Sequence, residues 1–235
     1  MIVDTLRRIG FSTLWLGFAL YAFTSAPSSQ PDTLDLIIRL STGDWNGINP
    51  LIVSLFNLMG VWPAIYACLL LIDGTQQKLA AWPFVAAAFG VGAFAVLPYQ
   101  ALRDRTQNPP APYDAKADVE RSKLLSVLDS PWTGRVLLLS AIALLSYGLF
   151  NGSFTANWQD FLGQWETSKF IHVMSLDFCM LCIILAPLLR DDMIRHGLKD
   201  NTLLFWIATL IPLFGVLIYL SVRPPLTQTI TQQAT

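Results

Sequence analysis

Charged residues are scarce in this chain of 235 residues. Asp, Glu, Lys and Arg together make up 13% of it, about half of the roughly 25% found in soluble domains. The charges nearly cancel, to a formal net charge of −1, so the chain lacks the basic excess that binding to nucleic acid requires. With 54% hydrophobic residues and a mean hydropathy of +0.50, the composition indicates an integral membrane protein whose first partner is the lipid bilayer.

Catalytic signatures are missing as well. The sequence contains no glycine-rich phosphate loop, no His-Glu-x-x-His, no Gly-x-Ser-x-Gly and no pair of acids suitably spaced within one segment. Cysteine is limited to three residues and histidine to two. The sequence therefore favours a non-enzymatic function.

Six apolar runs are long enough to cross a bilayer, which takes about 20 residues for roughly 30 Å of hydrocarbon. They predict an all-α polytopic membrane protein with six transmembrane helices, at residues 10–26, 50–72, 80–102, 132–151, 169–189 and 202–222. Arg7 and Arg8 before the first apolar run would also suit a signal peptide. However, the aromatic residues of that run and the five later spans favour a retained helix.

The longest polar segment, residues 104–131, is predicted to link two halves of the chain. Its proline-rich run after Asn108 breaks helices. Residues 118–128 mix leucines with Lys, Arg and Glu, a pattern typical of a helix on the membrane surface, on the same side as the loop between spans five and six. Residues 224–235 are predicted to be a disordered tail, because prolines end the last span and polar residues follow.

Lys and Arg are distributed unevenly between the ends of the six predicted spans. Ten of the fifteen lie at the ends joined by loops 1–2, 3–4 and 5–6. The positive-inside rule then predicts that loops 3–4 and 5–6 face the cytoplasm or stroma, with both termini across the membrane. Arg7 and Arg8 favour the opposite orientation, since the first helix often dominates.

A shift of 120 residues superposes similar residues in the two halves. The matched pairs are Trp45 with Trp165, Asn57 with Asp177, Tyr99 with Tyr219, and Arg103 with Arg223. This pattern predicts two three-helix repeats, residues 1–103 and 132–223. Because three is an odd number, successive copies would have opposite orientations, which is an inverted-repeat architecture. The alternative is a chance match between apolar helices with interfacial aromatic residues.

The main candidate site is a polar pair inside the predicted spans. Asp177 lies about eight residues into the fifth span, where a charged side chain is costly and is therefore either functional or paired. Asn57 occupies the matching position of the second span. We expect Asp177 to face the interior of the bundle and to bond a group on span two or three, with Asn57, Ser54 and Tyr99 as candidates.

Two further features of the fifth span could carry chemistry. His172 could bind a metal, a haem iron or a chlorophyll magnesium, or relay protons, although a single interfacial histidine is more often a packing residue. Cys179 and Cys182 form a Cys-x-x-Cys that could support thiol–disulfide exchange. Membrane thiol oxidoreductases need a second cysteine pair, and the remaining cysteine, Cys68, is alone. Buried cysteines otherwise behave as small hydrophobic residues.

The second half of the chain resembles a family of small membrane proteins. The segments that carry the resemblance are Lys169-Phe170, Asp177, Arg190-Asp191-Asp192-Met193 and Tyr219-Leu220-Ser221-Val222-Arg223. They resemble an uncharacterised family of three-helix proteins frequent in cyanobacteria and chloroplasts, with an Asp in the middle helix and an Arg closing the last. The resemblance implies a photosynthetic organism and a thylakoid membrane, the bacterial inner membrane being the other location, and it carries no known activity.

Three functions stay open at this point. The first is an accessory or assembly component of a photosynthetic membrane complex, in contact with other membrane proteins and with chlorophyll or carotenoid as its cofactor. The second is a small transporter or channel using Asp177 and Asn57, and the third is a membrane thiol oxidoreductase using Cys179 and Cys182. Bound pigment would favour the first, whereas a water-accessible cavity that reaches Asp177 would favour the second.

Overall fold

The computed structural model describes residues 2–104, 119–120 and 122–226. Within them the chain forms twelve α-helices for which both ends are described, one 3₁₀ turn (Gly74–Gln76) and no strand, which agrees with the predicted all-α class. The helices are α1 (Ile2–Thr24), α2 (Thr33–Thr42), α3 (Pro50–Asp73), α4 (Trp82–Val91), α5 (Ala93–Leu102), α6 (Lys123–Asp129), α7 (Pro131–Phe150), α8 (Phe154–Thr167), α9 (Lys169–Ile184), α10 (Ala186–Arg195), α11 (Thr202–Leu210) and α12 (Phe214–Val222). The predicted helix breaker after Asn108 and the predicted tail from residue 227 onward lie outside the described residues.

Two of these helices, α3 and α7, are long and apolar enough to cross a membrane. Helices α8 and α9, which meet at an angle of 101°, add a third candidate if they are one broken span. Among the described residues this supports an integral membrane protein, but it does not support the prediction of six full-length spans.

The predicted span at residues 80–102 is a helical hairpin. Gly92, with φ +52° and ψ −126°, separates α4 from α5, and each helix has ten residues, or about 15 Å of helix. The ring of Phe84 near the start of α4 lies 5.3 Å from that of Tyr99 near the end of α5. The two helices are therefore antiparallel, and the hairpin returns to the end of the bundle from which it started. The prediction of a straight span was wrong because Gly92 adopts a conformation that is open essentially to glycine alone.

The predicted span at residues 202–222 is folded in the same way. It is divided into α11 and α12, of nine residues each, by a turn at Pro212 and Leu213. The proline has no amide hydrogen to continue α11. Gly215 lets the two helices approach closely, since a Cβ there would lie 2.1 Å from the Ile207 carbonyl oxygen.

The bounds of the helices recur at the same shift of 120 residues that matches the sequence. Helices α4 and α11 begin at residues 82 and 202, and α5 and α12 end at residues 102 and 222. Helix α3 matches α9 and α10 taken together, which are separated by Leu185 alone. Each half therefore contains a long helix, a loop helix, a second long helix and a hairpin. That the halves arose by duplication stays a prediction.

The two halves have the same orientation, so the predicted inversion is wrong. Contacts between α3 and the helix pair α9 and α10 follow one another in the order Phe56 with Phe170, Tyr66 with Leu181, and Asp73 with Arg195. Contacts in this ascending order occur between parallel helices. The physical reason is that each hairpin returns to its starting end, so two long segments in each half, rather than three, run from one end of the bundle to the other.

The bundle has two chemically different ends. The charged end holds Asp73, Arg103, Asp192 and Arg223, whereas the tryptophan end holds Trp45, Trp165 and the loop helices α2 and α8. Helix α6 covers part of the predicted surface helix at residues 118–128; residues 118 and 121 lie outside the described residues. It lies at the charged end, where Asp129 at its last position bonds His196, and it exposes Leu124 and Val127. This is the side on which the surface helix was predicted.

Candidate functional site

A cavity of about 630 Å³ lies near the tryptophan end, between α1, α3, α9 and the tip of the α4–α5 hairpin. Its lining includes five phenylalanines, namely Phe23, Phe56, Phe89, Phe94 and Phe170. Its polar lining consists of Asp177, Asn57, Lys169 and the hydroxyl residues Ser29, Thr33 and Ser41. Ser29, Thr33 and Ser41 belong to α2 and its flanking loop and line the part of the cavity at the tryptophan end, which we call its mouth. Asp177 and Gly92 line the part at the hairpin tip, which we call its inner end. The cavity is also open along its side, where Phe23, Phe89 and Val91 of its lining are more than half exposed.

Asp177 lies at the inner end of the cavity and is 5% exposed. Its Oδ1 accepts a hydrogen bond of 2.8 Å from the amide of Ala93, the first residue of α5. The first amides of a helix have no partner within it and carry its positive dipole end, so this position stabilises a carboxylate. A Cβ at Gly92 would lie 1.7 Å from Asp177 Oδ2. Gly92 is therefore required both for the turn and for the close approach of the carboxylate.

Asp177 thus faces the interior, and its partner lies within residues 80–102, as expected. The partner is a backbone amide rather than Asn57, Ser54 or Tyr99. Asn57 is half-buried, lines the same cavity, and donates from Nδ2 to the Val53 carbonyl oxygen at 2.8 Å. Asn57 and Asp177 share a cavity and are not joined by a hydrogen bond.

His172 has both ring nitrogens engaged. Its Nε2 lies 2.8 Å from the Tyr21 hydroxyl and its Nδ1 lies 3.0 Å from the Trp165 carbonyl oxygen. The Trp165 ring also packs on the imidazole, with 4.1 Å between the centroids. A metal or a pigment magnesium would have to displace Tyr21 to reach a nitrogen. The geometry favours a packing role, in which His172 ties the end of α1 to α9.

The cysteines are unpaired and are not arranged as a relay. Cys179 is exposed on α9, Cys182 is half-buried beside the backbone of Leu213, and Cys68 is buried on α3. Within the described residues, no group of three or more His, Cys, Asp or Glu side chains could hold a metal ion. The structure therefore adds no second cysteine pair to the thiol-exchange hypothesis.

A buried ionic cluster lies at the charged end, beneath both hairpins. It consists of Asp73, Arg103, Asp129, Asp191, Asp192, Arg195, His196 and Arg223, whose side chains are each no more than 4% exposed. Burial of so many charges is costly, and it is tolerated where each charge is paired and hydrogen-bonded.

Each half contributes a matching ion pair to the buried ionic cluster. Arg103 closes the first hairpin and donates to Asp73 at 2.9 Å, while Arg223 closes the second hairpin and donates to Asp192 at 2.7 Å. Arg195 joins the two pairs, because it bonds Asp73 and its Nη1 lies 3.9 Å from Asp192. The cluster therefore connects the bases of the two hairpins to the ends of the long helices.

His196 connects the cluster to helix α6. Its Nδ1 lies 2.8 Å from the Asp192 carbonyl oxygen and its Nε2 lies 2.9 Å from Asp129 Oδ1. The imidazole therefore links Asp129, at the end of α6, to the backbone of α10.

Sequence reasoning missed this cluster. The Tyr-x-x-x-Arg motif at residues 99–103 and 219–223 indicates a repeat, but nothing in the motif indicates that its arginines are buried. The signal was an acid near the end of the preceding long helix, Asp73 in the first half, followed by Tyr-x-x-x-Arg at the end of the next apolar run.

Comparison with known proteins assigns no relative to this chain. No protein family, no curated protein and no solved structure matches it.

Proposed function

We propose that this protein is a small transporter or channel, which admits a solute from the tryptophan end into the cavity that reaches Asp177. One observation carries the proposal: a cavity of about 630 Å³ ends at a buried carboxylate held by the amide of a broken helix. Broken helices inside membranes are tolerated where they line a cavity, and transporters form their solute sites from such breaks.

In this proposal four segments cross the bilayer, namely α1, α3, α7 and the pair α9 and α10. The two hairpins enter from the charged end, turn inside the membrane and leave by the same end. Helix α1 has 23 residues, or about 35 Å at 1.5 Å per residue, and its charged residues lie within its first two turns. The halves are then parallel repeats about an axis along the membrane normal.

The distribution of basic residues supports this arrangement. Two of the described Lys and Arg residues, Arg39 and Lys169, lie at the tryptophan end. The others lie at the charged end: Arg7, Arg8, Lys78, Arg103, Lys123, Arg135, Arg190, Arg195, Lys199 and Arg223. By the positive-inside rule the charged end faces the cytoplasm or its equivalent, and the cavity opens on the opposite side. Arg7 and Arg8 no longer conflict with the rest.

The other hypotheses receive less support. A chlorophyll bound through His172 would need a free ring nitrogen, and both His172 nitrogens are engaged. A thiol oxidoreductase would need a partner for Cys179 and Cys182. A thylakoid location follows only from the sequence resemblance.

Cysteine accessibility tests the proposal without knowledge of the solute. In a variant with Cys68, Cys179 and Cys182 replaced by Ala, V173C places one thiol in the cavity lining and I142C places one on the exposed face of α7. In proteoliposomes of known orientation, an impermeant cationic methanethiosulfonate added at the tryptophan end should modify V173C at least about tenfold faster than I142C, since only thiols reached by water ionise and react.

The same variants distinguish transport from binding alone. A transporter or channel exposes its site to both sides of the membrane, so V173C should also react with reagent enclosed on the charged side. Modification of V173C from the tryptophan end alone would indicate a binding pocket without transport across the membrane. Equal modification rates for V173C and I142C would contradict the existence of a cavity that water reaches.

A further inference from the structure

The cavity lining includes one carboxylate and five phenylalanines, and this combination indicates the class of ligand that the cavity can bind. We propose that the solute is an organic cation, an ammonium group attached to an apolar body about the size of an aromatic ring. The inference rests on the proposed function in that it uses the same cavity, and it adds the chemical class of the solute.

One oxygen of the Asp177 carboxylate is available to a ligand. Asp177 Oδ1 is engaged by the Ala93 amide at 2.8 Å, whereas Oδ2 accepts no hydrogen bond from the residues that the structure describes. An ionised carboxylate accepts hydrogen bonds at both oxygens. One deep in a membrane protein is expected to have a countercharge. An ammonium group at Oδ2 would supply both the donors and the charge.

The one basic residue of the described lining is too distant to be that countercharge. Lys169 is the first residue of α9, eight positions before Asp177, which is about 12 Å along the helix axis. It lies towards the mouth, where water and salt screen its charge from an entering cation. A carboxylate ligand would meet Asp177 at the inner end, so the site does not suit organic anions.

The side chains of the remaining lining favour an organic cation over an inorganic one. Hard metal ions take six or more oxygen ligands, or keep a shell of water. Near the hairpin tip, Asp177 and Asn57 are the side chains in the described lining that offer oxygen, and Phe94 and Phe170 are apolar neighbours in the same lining. Phenyl rings bind the apolar part of an organic cation and attract its charge through their faces. A volume of about 630 Å³ also lies within the roughly 300–1,000 Å³ typical of small-molecule sites.

A series of three isosteric probes tests the inference on the full chain in nanodiscs. Phenethylammonium, 2-phenylethanol and phenylacetate share one ring and differ in charge. Isothermal titration calorimetry should show phenethylammonium binding at least about tenfold more tightly than the alcohol, and phenylacetate should bind most weakly. Equal affinities, tighter binding of phenylacetate, or no binding of phenethylammonium at millimolar concentration would overturn the inference.

Variants identify the group that recognises the charge. D177N should remove the preference for the cation over the alcohol, while D177E should keep part of it. The matched control E166Q removes an exposed carboxylate on α8 at the same end of the bundle and should leave all three affinities unchanged. If D177N folds and keeps the preference, the inference is wrong; if it does not fold, the wild-type series alone decides.

The two proposals fail separately. If V173C is modified from both sides but the probes show no preference for a cation, the solute class is wrong and the transport proposal stands. If phenethylammonium binds through Asp177 but V173C reacts from one side only, the ligand class stands and transport does not.

Discussion

The first helix of each half packs differently, and the difference creates the cavity. Helix α7 lies tightly against α3 and α12. A Cβ at Gly148 would be 2.7 Å from Ser54 Cβ, and one at Gly134 would be 2.4 Å from the Leu220 carbonyl carbon. Helix α1 has two glycines as well, Gly10 and Gly17, but a Cβ at either would have no heavy atom within 4 Å.

The two halves share one arrangement of helices, but the second half is closely packed around its first helix, α7, whereas the first half has a cavity beside its first helix, α1. Glycines at the contacts of α7 let its backbone approach its neighbours, as small residues do between membrane helices. The glycines of α1 lie away from its contacts, and the cavity lies where α1, α3 and α9 diverge. The comparison shows that the placement of glycine, rather than its presence, separates the closed half from the open half.

The largest expected effect concerns the ion pairs at the bases of the two hairpins, a feature that both halves share. R103M and R223M should each lower the free energy of unfolding by about 3–5 kcal/mol, because each removes a positive charge that bonds the buried aspartates and leaves their negative charge in excess. Unfolding in sodium dodecyl sulfate, followed by circular dichroism, measures the change. R190M, at an exposed position on α10, is the control and should have little effect. Tolerance of one variant but not the other would show that the two ion pairs are not equivalent.

The next largest effect concerns the packing of α7 and α1, in which the two halves differ. G148L should destabilise the protein by about 3 kcal/mol, at the upper end for overpacking, because the new side chain meets the α3 backbone and Ser54. G17L places the same side chain in open space on α1 and should unfold like the wild type. Comparable losses for the two variants would contradict the distinction between a closed and an open half.

A smaller effect is expected at the tip of the first hairpin. G92A should cost about 2 kcal/mol, because alanine is strained at this φ and ψ and because its Cβ would displace Asp177 Oδ2. The variant should also weaken binding of phenethylammonium. L213A in the second hairpin is the counterpart, since that tip already carries a side chain at φ +60°, and it should leave the affinity unchanged.

The smallest effect on stability is expected from filling the cavity. Gly60 of α3 lines the cavity and has open space around its Cβ, so G60L should leave stability unchanged or raise it by up to about 1 kcal/mol through helix propensity. It should nevertheless slow the modification of V173C from the tryptophan end. Unchanged modification would mean that reagent reaches V173C by another route.

The sequence predicts the straight helices well and the hairpins poorly. The spans predicted at 50–72 and 132–151 match α3 and α7 closely, because each is a long apolar run that stays helical over its whole length, in α3 also through Pro63. An apolar run that folds back on itself has the same composition as one that crosses. Gly92 and Pro212 were the available signals, and the prediction of inversion failed because it counted each hairpin as a crossing.

The candidate site was found in part for similar reasons. Asp177 was detectable because a carboxylate is rare within an apolar run. Its partner was not, since a backbone amide becomes available only where the helix breaks. The ionic cluster was missed because Asp73, Arg103 and Arg223 lie at the ends of apolar runs, where charged residues are ordinarily exposed to water.

The return of each hairpin to the charged end bears on how such a chain could have originated. In the four-crossing arrangement proposed above, each half begins and ends on one side of the membrane, so a second copy translated behind it would insert in the same direction without any change in its basic residues. The linker between the halves leaves Arg103 and reaches Asp129 at that same end. A gene for a single half would thus yield subunits that sit side by side in one orientation, and fusion would require no ancestor able to insert both ways.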